Sequence, residues 1–307
     1  MAQISRRDAL AAGAATFLLP SLALATPKRS LRVAHMTDFH CQPELGGGVG
    51  TDMAFAHAMK QKPDLVLMGG DVVMDSCAQT EARTRQQFDL YRAAEKKHVK
   101  VPIHYALGNH DIWGMDKKAT GTTGSEAKWG KRWFLDEYGY SMPYHSFDQG
   151  GWHFVVLDNV LITPDGYNGF VEAEQVAWLK EDLASTKKPT LILSHIPLLS
   201  ITNFAESYDA AKGEWNVGGS LMTKNLDELR AIFTKNPHVK VCLSGHTHML
   251  DRVDYSGVSY LCGGAVCGAW WKGPNGPFAP GYRVLDLHDD GKFEERYVTW
   301  GWHEGLA

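Results

Sequence analysis

Residues 244–249 read Ser-Gly-His-Thr-His-Met and follow the apolar run Val-Lys-Val-Cys-Leu. Two imidazoles one residue apart would share a face if the chain stayed extended. Gly245 would let the backbone turn just before them. Taken alone, the fragment also suits a polar surface turn. Four other apolar runs end in similar chemistry. LRVAHM runs into Thr37-Asp38-Phe39-His40, and DLVLMG into Gly70-Asp71. IHYAL runs into Gly108-Asn109-His110-Asp111, and TLILS into His195. Carboxylate, imidazole and amide donors together suit borderline divalent ions such as Zn, Mn, Fe or Co. No thiolate is required, so the pattern is not that of a structural zinc knuckle.

The elements that must carry these residues are legible. LRVAHM (31–36), DLVLMG (64–69), VPIHYAL (101–107), WHFVVLD (152–158), TLILS (190–194) and VKVCLS (239–244) are short apolar runs, as in strands covered on both faces. Helical spacing occupies 52–62, 80–97, 172–185 and 223–233, the last with Thr223 as its expected N-cap. Alternating strands and helices predict an α/β layered fold. In such folds ligands bind beyond the carboxyl ends of the strands, where all five polar clusters fall. After residue 250 the segments shorten and read as a late antiparallel set. Residues 112–150 are rich in glycine and aromatics and fit neither pattern; a long insertion of that kind is expected to be functional or mobile.

In this order the motifs resemble the calcineurin-like metallophosphoesterases, whose pattern is D-x-H, G-D, G-N-H-[DE], a lone H, then G-H-x-H. The resemblance runs from Asp38 to His248. It implies a two-sheet αββα sandwich with the metal site at strand C-terminal ends. It implies that Asp38, His40 and His248 bind one divalent ion, that Asn109, His195 and His246 bind a second, and that Asp71 bridges them. His110 would stand outside the metal shell as the catalytic residue beside the substrate. The implied activity is hydrolysis of phosphate esters, as a phosphatase or phosphodiesterase, with a metal-bridging hydroxide as nucleophile. Such ions, roughly 3.5–4 Å apart, clamp the attacking and phosphoryl oxygens together. Imidazoles ligate only when neutral, so acid should strip the site. Purple acid phosphatases carry a tyrosine ligand three residues after the bridging Asp. Met74 stands there in this chain, which points to a redox-inert or divalent pair. The alternatives are a non-catalytic scaffold of the same fold, or a nuclease.

Around these residues stand weaker candidates. Asp111 is expected to orient His110. Trp270 and Trp271, in the stretch GGAVCGAWWKGPNGPFAPGY, suit either an aromatic wall at the metal mouth or a plug of the core. His145 and Tyr144, late in the insertion, could reach the substrate. His35 lies inside the first strand and reads as a structural histidine. His57, His98, His238, His288 and His303 read as solvent-facing.

The 307 residues and 44% hydrophobic content suffice for one large domain, expected over 26–307. The net charge of −4, without a run of one sign, argues against a nucleic-acid groove or a polybasic membrane patch. Arg6-Arg7 precede a modest apolar stretch and Ala23-Leu24-Ala25, which predicts a signal over 1–25 resembling the twin-arginine type. The expected partners are therefore a phosphate ester and, during maturation, the twin-arginine export machinery. The expected location is periplasmic or secreted, with no stable membrane span in the mature chain. Five cysteines without regular spacing do not form a disulfide framework; Cys262 and Cys267 could pair in an oxidising compartment, a question of geometry that the sequence leaves open.

Overall fold

Continuous apolar runs become strands whose two faces are both covered. The computed structural model describes residues 28–303 and Gly305. The paired arginines and apolar stretch expected to form an export signal lie outside the described residues. In chain order come β1 (Arg29–Met36), α1 (Gly47–Met59), β2 (Leu65–Met68), α2 (Glu81–His98) and β3 (Ile103–Tyr105). Then follow α3 (Lys117–Thr120), α4 (Arg132–Tyr138), β4 (His145–Gln149), β5 (Trp152–Val156), β6 (Val160–Thr163) and β7 (Gly166–Gly169). Next are α5 (Ala173–Ser185), β8 (Thr190–Leu193), α6 (Ile201–Ala205), β9 (Tyr208–Asp209), β10 (Glu214–Trp215) and α7 (Leu226–Lys235). The chain ends with β11 (Val239–Ser244), β12 (Leu250–Tyr255), β13 (Val258–Gly263), β14 (Gly281–His288) and β15 (Phe293–Thr299).

Two sheets form, in the orders β15-β14-β1-β2-β3 and β12-β13-β11-β8-β5-β4. Strand alternation assigns every residue to a layer. Val33, Leu65, Leu67, Phe154, Leu191, Leu193, Val241, Leu243 and Leu285 meet between the sheets. Their neighbours Ala34, Met36, Val66 and Met68 face the other way, onto Phe55 of α1, Phe88 and Tyr91 of α2 and Phe134 of α4. On the far side Val155, Ile192 and Cys242 meet Leu179 of α5 and Phe233 of α7. The result is the expected αββα sandwich. Each large side chain so buried contributes about 1.5–3 kcal/mol.

Several expectations are corrected. α1 begins at Gly47, before the anticipated 52. α7 begins at Leu226 with Asn225 at its N-cap; Thr223 instead accepts a hydrogen bond from Asn159 Nδ2 at 2.9 Å. The late segments are not wholly antiparallel, since β13 runs parallel to β11. The 112–150 stretch is no free loop: Ile112, Trp113, Trp133, Phe134 and Leu135 enter the core, and β4 pairs with β5. His57 is half-buried, its Nδ1 2.8 Å from the Tyr282 hydroxyl, and His98 lies 2.9 Å from Asp52 Oδ1. All five cysteines are free, so Cys262 and Cys267 do not pair.

Candidate active site

β1, β2, β8 and β11 are parallel within their sheets and end at one rim. Just past their ends the backbone is forced into unusual conformations. Ten non-glycine residues have left-handed φ among those described, and five are Asp38, His40, Asp71, His246 and His248. Two more are Trp270 and Trp271. Such conformations cost energy and persist where surrounding contacts over-determine them, which is common at functional sites. Gly245 is not left-handed, though the chain turns there, with the Thr247 N–H donating to Gly245 O at 2.9 Å. It is needed for close approach, since a Cβ there would overlap Thr37 Oγ1 and Asp38 Oδ2. A Cβ on Gly108 would likewise overlap the Asp71 backbone and carboxylate.

The seven residues assigned to metal by resemblance meet in one buried cluster. His195 Nε2 lies 3.0 Å from Asn109 Oδ1, 3.2 Å from His246 Nδ1 and 3.2 Å from Asp71 Oδ2. His40 Nε2 lies 3.0 Å from His248 Nε2, 3.6 Å from Asp71 Oδ2 and 3.9 Å from Asp38 Oδ1. Asp71 therefore faces both halves. Its other oxygen, Oδ1, accepts from the His110 backbone N–H at 2.8 Å.

Backbone carbonyls fix which ring nitrogens carry protons. His195 Nδ1 donates to Gly69 O at 2.8 Å, and His248 Nδ1 donates to Gly268 O at 2.6 Å. In both rings this turns Nε2 toward the cluster, the arrangement typical of metal-ligating histidines. Burial alone would raise the Asp71 carboxyl, but the imidazoles of His195, His110 and His40 hold it well below the usual range. Burial, then the nearby histidine charge, lowers both His40 and His246 to about 3, so both rings are neutral. Burial opposes protonation of His195, yet Asp71 raises it to about 9. The buried Asp71 carboxylate thus favours a proton on the neighbouring His195 ring. A divalent cation would take the place of that proton, and the donor set fits one: two carboxylates, four imidazoles and an amide oxygen converge in one cluster.

Asp111 does not orient His110. Its carboxylate accepts from the backbone N–H groups of Asp71, Val72 and Gly108 at 2.9, 2.9 and 3.0 Å. It clamps the Gly-Asp turn to the Gly-Asn-His-Asp turn. Burial and the Asp71 charge push it up to about 7, against the pull of those N–H groups. The His110 ring stands edge-on to His40 at 4.7 Å, and its Nδ1 is buried and unpartnered.

A pocket of about 330 Å³ opens on the cluster, lined by His40, Asp71, Asn109, His110, His246, His248, Tyr167, Asn203, Glu206, Ser207, Leu221 and Trp270. Larger hollows of about 780 and 790 Å³ lie elsewhere, and neither gathers histidines. The adjacent tryptophans separate. Trp270 is 40% exposed and lies over His248 with ring centroids 4.6 Å apart. Trp271 is 1% exposed, and its indole N–H donates to His40 O at 2.9 Å. His145 is placed away from the pocket, 3.2 Å from His104 and stacked on Tyr140. Tyr144 packs on Trp178. His35 is buried with both ring nitrogens unpartnered.

Sequence reasoning missed Tyr167 and the wall from Asn203 to Leu221. It also missed Cys267, whose thiol lies within 4.8 Å of ring nitrogens of His40 and His248. No periodic or motif signal marks the 203–221 wall.

Residues 31–250 match the family described as calcineurin-like phosphoesterase. A 3′,5′-cyclic-nucleotide phosphodiesterase of Nostoc sp. is 26% identical over 280 residues, spanning 86% of this chain and 90% of that protein. The 3′,5′-cyclic adenosine monophosphate phosphodiesterase CpdA of Escherichia coli is 25% identical over 235 residues, spanning 74% of this chain and 71% of that one. A dimetal phosphatase from Danio rerio superposes with a TM-score of 0.58 at 14% identity, over 89% of this chain and 100% of that one, a likeness of fold.

Proposed function

Because the chain belongs to the calcineurin-like phosphoesterase family, and so is a metal-dependent phosphoric ester hydrolase, we propose that it is a phosphodiesterase with two divalent ions. Asp38, His40 and His248 would hold one ion, Asn109, His195 and His246 the other, and Asp71 both. The observation that carries this is the convergence of these seven residues, donor atoms facing one another, with five of them lining a single pocket. Bound there, the ions supply positive charge that activates water and neutralises the phosphate. The chain supplies the rest. The Gly69 and Gly268 carbonyls hold His195 and His248 in one tautomer. His110 faces the substrate from the same wall, placed to hydrogen-bond a phosphoryl oxygen or to protonate the leaving oxygen. Trp270 offers a flat apolar surface to one ester arm. Support for a diester comes from the two relatives at 25–26% identity, both named as cyclic-nucleotide phosphodiesterases.

The test is elemental analysis of Mn²⁺-loaded protein alongside rates on bis(p-nitrophenyl) phosphate and p-nitrophenyl phosphate. Metal content approaching two equivalents is expected, falling below one in Asp71→Asn, whose neutral amide bridges poorly. A ceiling of one ion in the intact protein would sink the two-ion centre. A strong preference for the monoester would sink the phosphodiesterase assignment.

We also propose export by the twin-arginine route to the periplasm or beyond, supported by Arg6-Arg7 and the apolar stretch after them. Changing both arginines to lysine should retain the precursor in the cytoplasm. Unimpaired export would favour the general secretory route.

A further inference from the structure

Exposed apolar side chains are unevenly spread on this protein. Among the described residues ten large hydrophobic side chains are exposed. Six of them are Leu221 and Trp270, which line the metal pocket, and Ile201, Phe204, Tyr208 and Trp215, which lie on the same segment as Leu221 without lining it. Five belong to the 201–221 segment, whose Asn203, Glu206, Ser207 and Leu221 line that pocket. A concentration of this kind marks an interaction surface.

The segment is built, not loose. One oxygen of the buried Asp251 carboxylate accepts from Ser200 Oγ and from the backbone N–H groups of Ile201 and Thr202 at 2.7, 2.9 and 3.1 Å. Asn203 Nδ2 donates to Leu221 O at 2.7 Å, tying the two ends of the segment together. On this base Trp215 stacks on Phe204, with centroids 5.1 Å apart and planes at 11°, and leans on Tyr208 at 4.9 Å. Phe204, Tyr208 and Trp215 remain 43–52% exposed. Aromatic side chains held half in water suit the boundary between headgroups and acyl chains.

Continuity with the pocket selects the occupant. Because Asn203, Glu206, Ser207 and Leu221 of this segment line the pocket, a molecule lying on these rings can extend its polar end toward the metal ligands. An amphiphile with a phosphoester head satisfies both surfaces at once. Charge narrows it further. The segment carries Glu206, Asp209 and Glu214 against Lys212, an acidic excess that an anionic bilayer would repel.

We propose that the 201–221 segment and Trp270 form a rim that docks on a zwitterionic lipid surface, presenting a lipid phosphodiester to the metal centre. This rests on the phosphodiesterase assignment above. No helix among the described residues is long and apolar enough to cross a membrane, so the contact is peripheral.

The experiment compares the full chain, Mn²⁺-loaded, with Phe204→Ser/Trp215→Ser and with Tyr255→Ser, an exposed aromatic away from the pocket. Co-sedimentation with phosphatidylcholine vesicles, hydrolysis of the lipid in those vesicles and hydrolysis of soluble bis(p-nitrophenyl) phosphate are measured. The N-terminal apolar stretch is common to all three proteins, so differences between them read the rim. The double variant should lose vesicle binding and lipid hydrolysis by about tenfold or more, as expected for two removed aromatic anchors. Its melting temperature should hold, and its rate on the soluble diester should stay within about twofold, because neither residue lines the pocket. Tyr255→Ser should behave as wild type. Equal vesicle binding by the double variant overturns the proposal. So does binding that needs phosphatidylglycerol and disappears with salt. So does a dimer that forms without vesicles and is lost in the variant, which makes the face a contact between copies. Lipid turnover far slower than 3′,5′-cyclic AMP turnover overturns the substrate class. Rim-dependent vesicle binding without turnover of any phosphodiester keeps the docking surface and refutes the phosphodiesterase assignment instead.

Discussion

Trp270 and Trp271 are adjacent, identical and both left-handed, yet replacing them should have different consequences. Trp271 is fully enclosed, its ring meeting Trp302 at 5.1 Å and Trp300 at 6.1 Å. Truncating a buried Trp to Ala costs about 3–5 kcal/mol through lost transfer energy and the cavity left behind. Losing the indole hydrogen bond to His40 O adds about 1 kcal/mol. For a domain of this size that lowers the melting temperature by roughly 10 °C or more. Trp270 is 40% exposed, so less burial is lost with it than with Trp271. Its φ of 51° carries the left-handed penalty of about 1–2 kcal/mol that glycine escapes. Relief of that strain offsets part of the burial lost, so Trp270→Gly should cost clearly less stability than Trp271→Ala. Its effect should fall on KM for substrates with a large ester arm, and less on a small aryl phosphate. The assays are thermal denaturation of both variants and steady-state kinetics on a large and a small substrate. A Trp271→Ala protein that melts like wild type would refute the burial argument. A Trp270→Gly protein that is strongly destabilised, with unchanged substrate preference, would refute the division of labour between the pair.

His110→Ala should keep metal content and folding close to wild type but lose about 10²–10⁴ in kcat on poor leaving groups. If the ring mainly donates a proton, an activated aryl leaving group should recover much of the rate; loss of a metal ion would instead place His110 in the metal shell, a geometry its closeness to His40 and Asp71 allows. His153 lies 2.8 Å from both Asp148 and Asp182, and although burial opposes it, these carboxylates raise its imidazole above the usual value of 6.5. That stabilisation is full below the unfolded value and is lost as pH rises through the raised folded one. His153→Gln should accordingly cost about 1 kcal/mol at pH 5.5, discounted because Asp148 is half-exposed, and less at pH 9; an equal cost at both pH values in chemical denaturation would refute it.

The sequence by itself determined the strand cores and the chemistry at their ends. An apolar run such as LVLM, buried at every position, leaves its period and length in the sequence. The polar residues that end each run are fixed to the rim by covalent connection alone. Gly-Asp, Gly-Asn-His-Asp and Gly-His-Thr-His were legible for that reason. Only the tertiary structure decided what each of these groups touches. Asp111 was expected to serve its neighbour His110 but clamps backbone about forty residues away. Trp270 and Trp271 cannot be told apart by type or spacing; the left-handed loop sends one ring to the pocket and the other beneath His40. His145 lies on a half-exposed strand and faces His104, not the substrate. The wall from Asn203 to Leu221 has no periodic pattern, and Cys267 carries no ligand motif. Both reach the site only because β8, β11 and β13 lie side by side. Local sequence encodes period and donor type, since these act within one element. Contacts across tens to hundreds of residues depend on how two sheets close on one another, and no single segment contains that information.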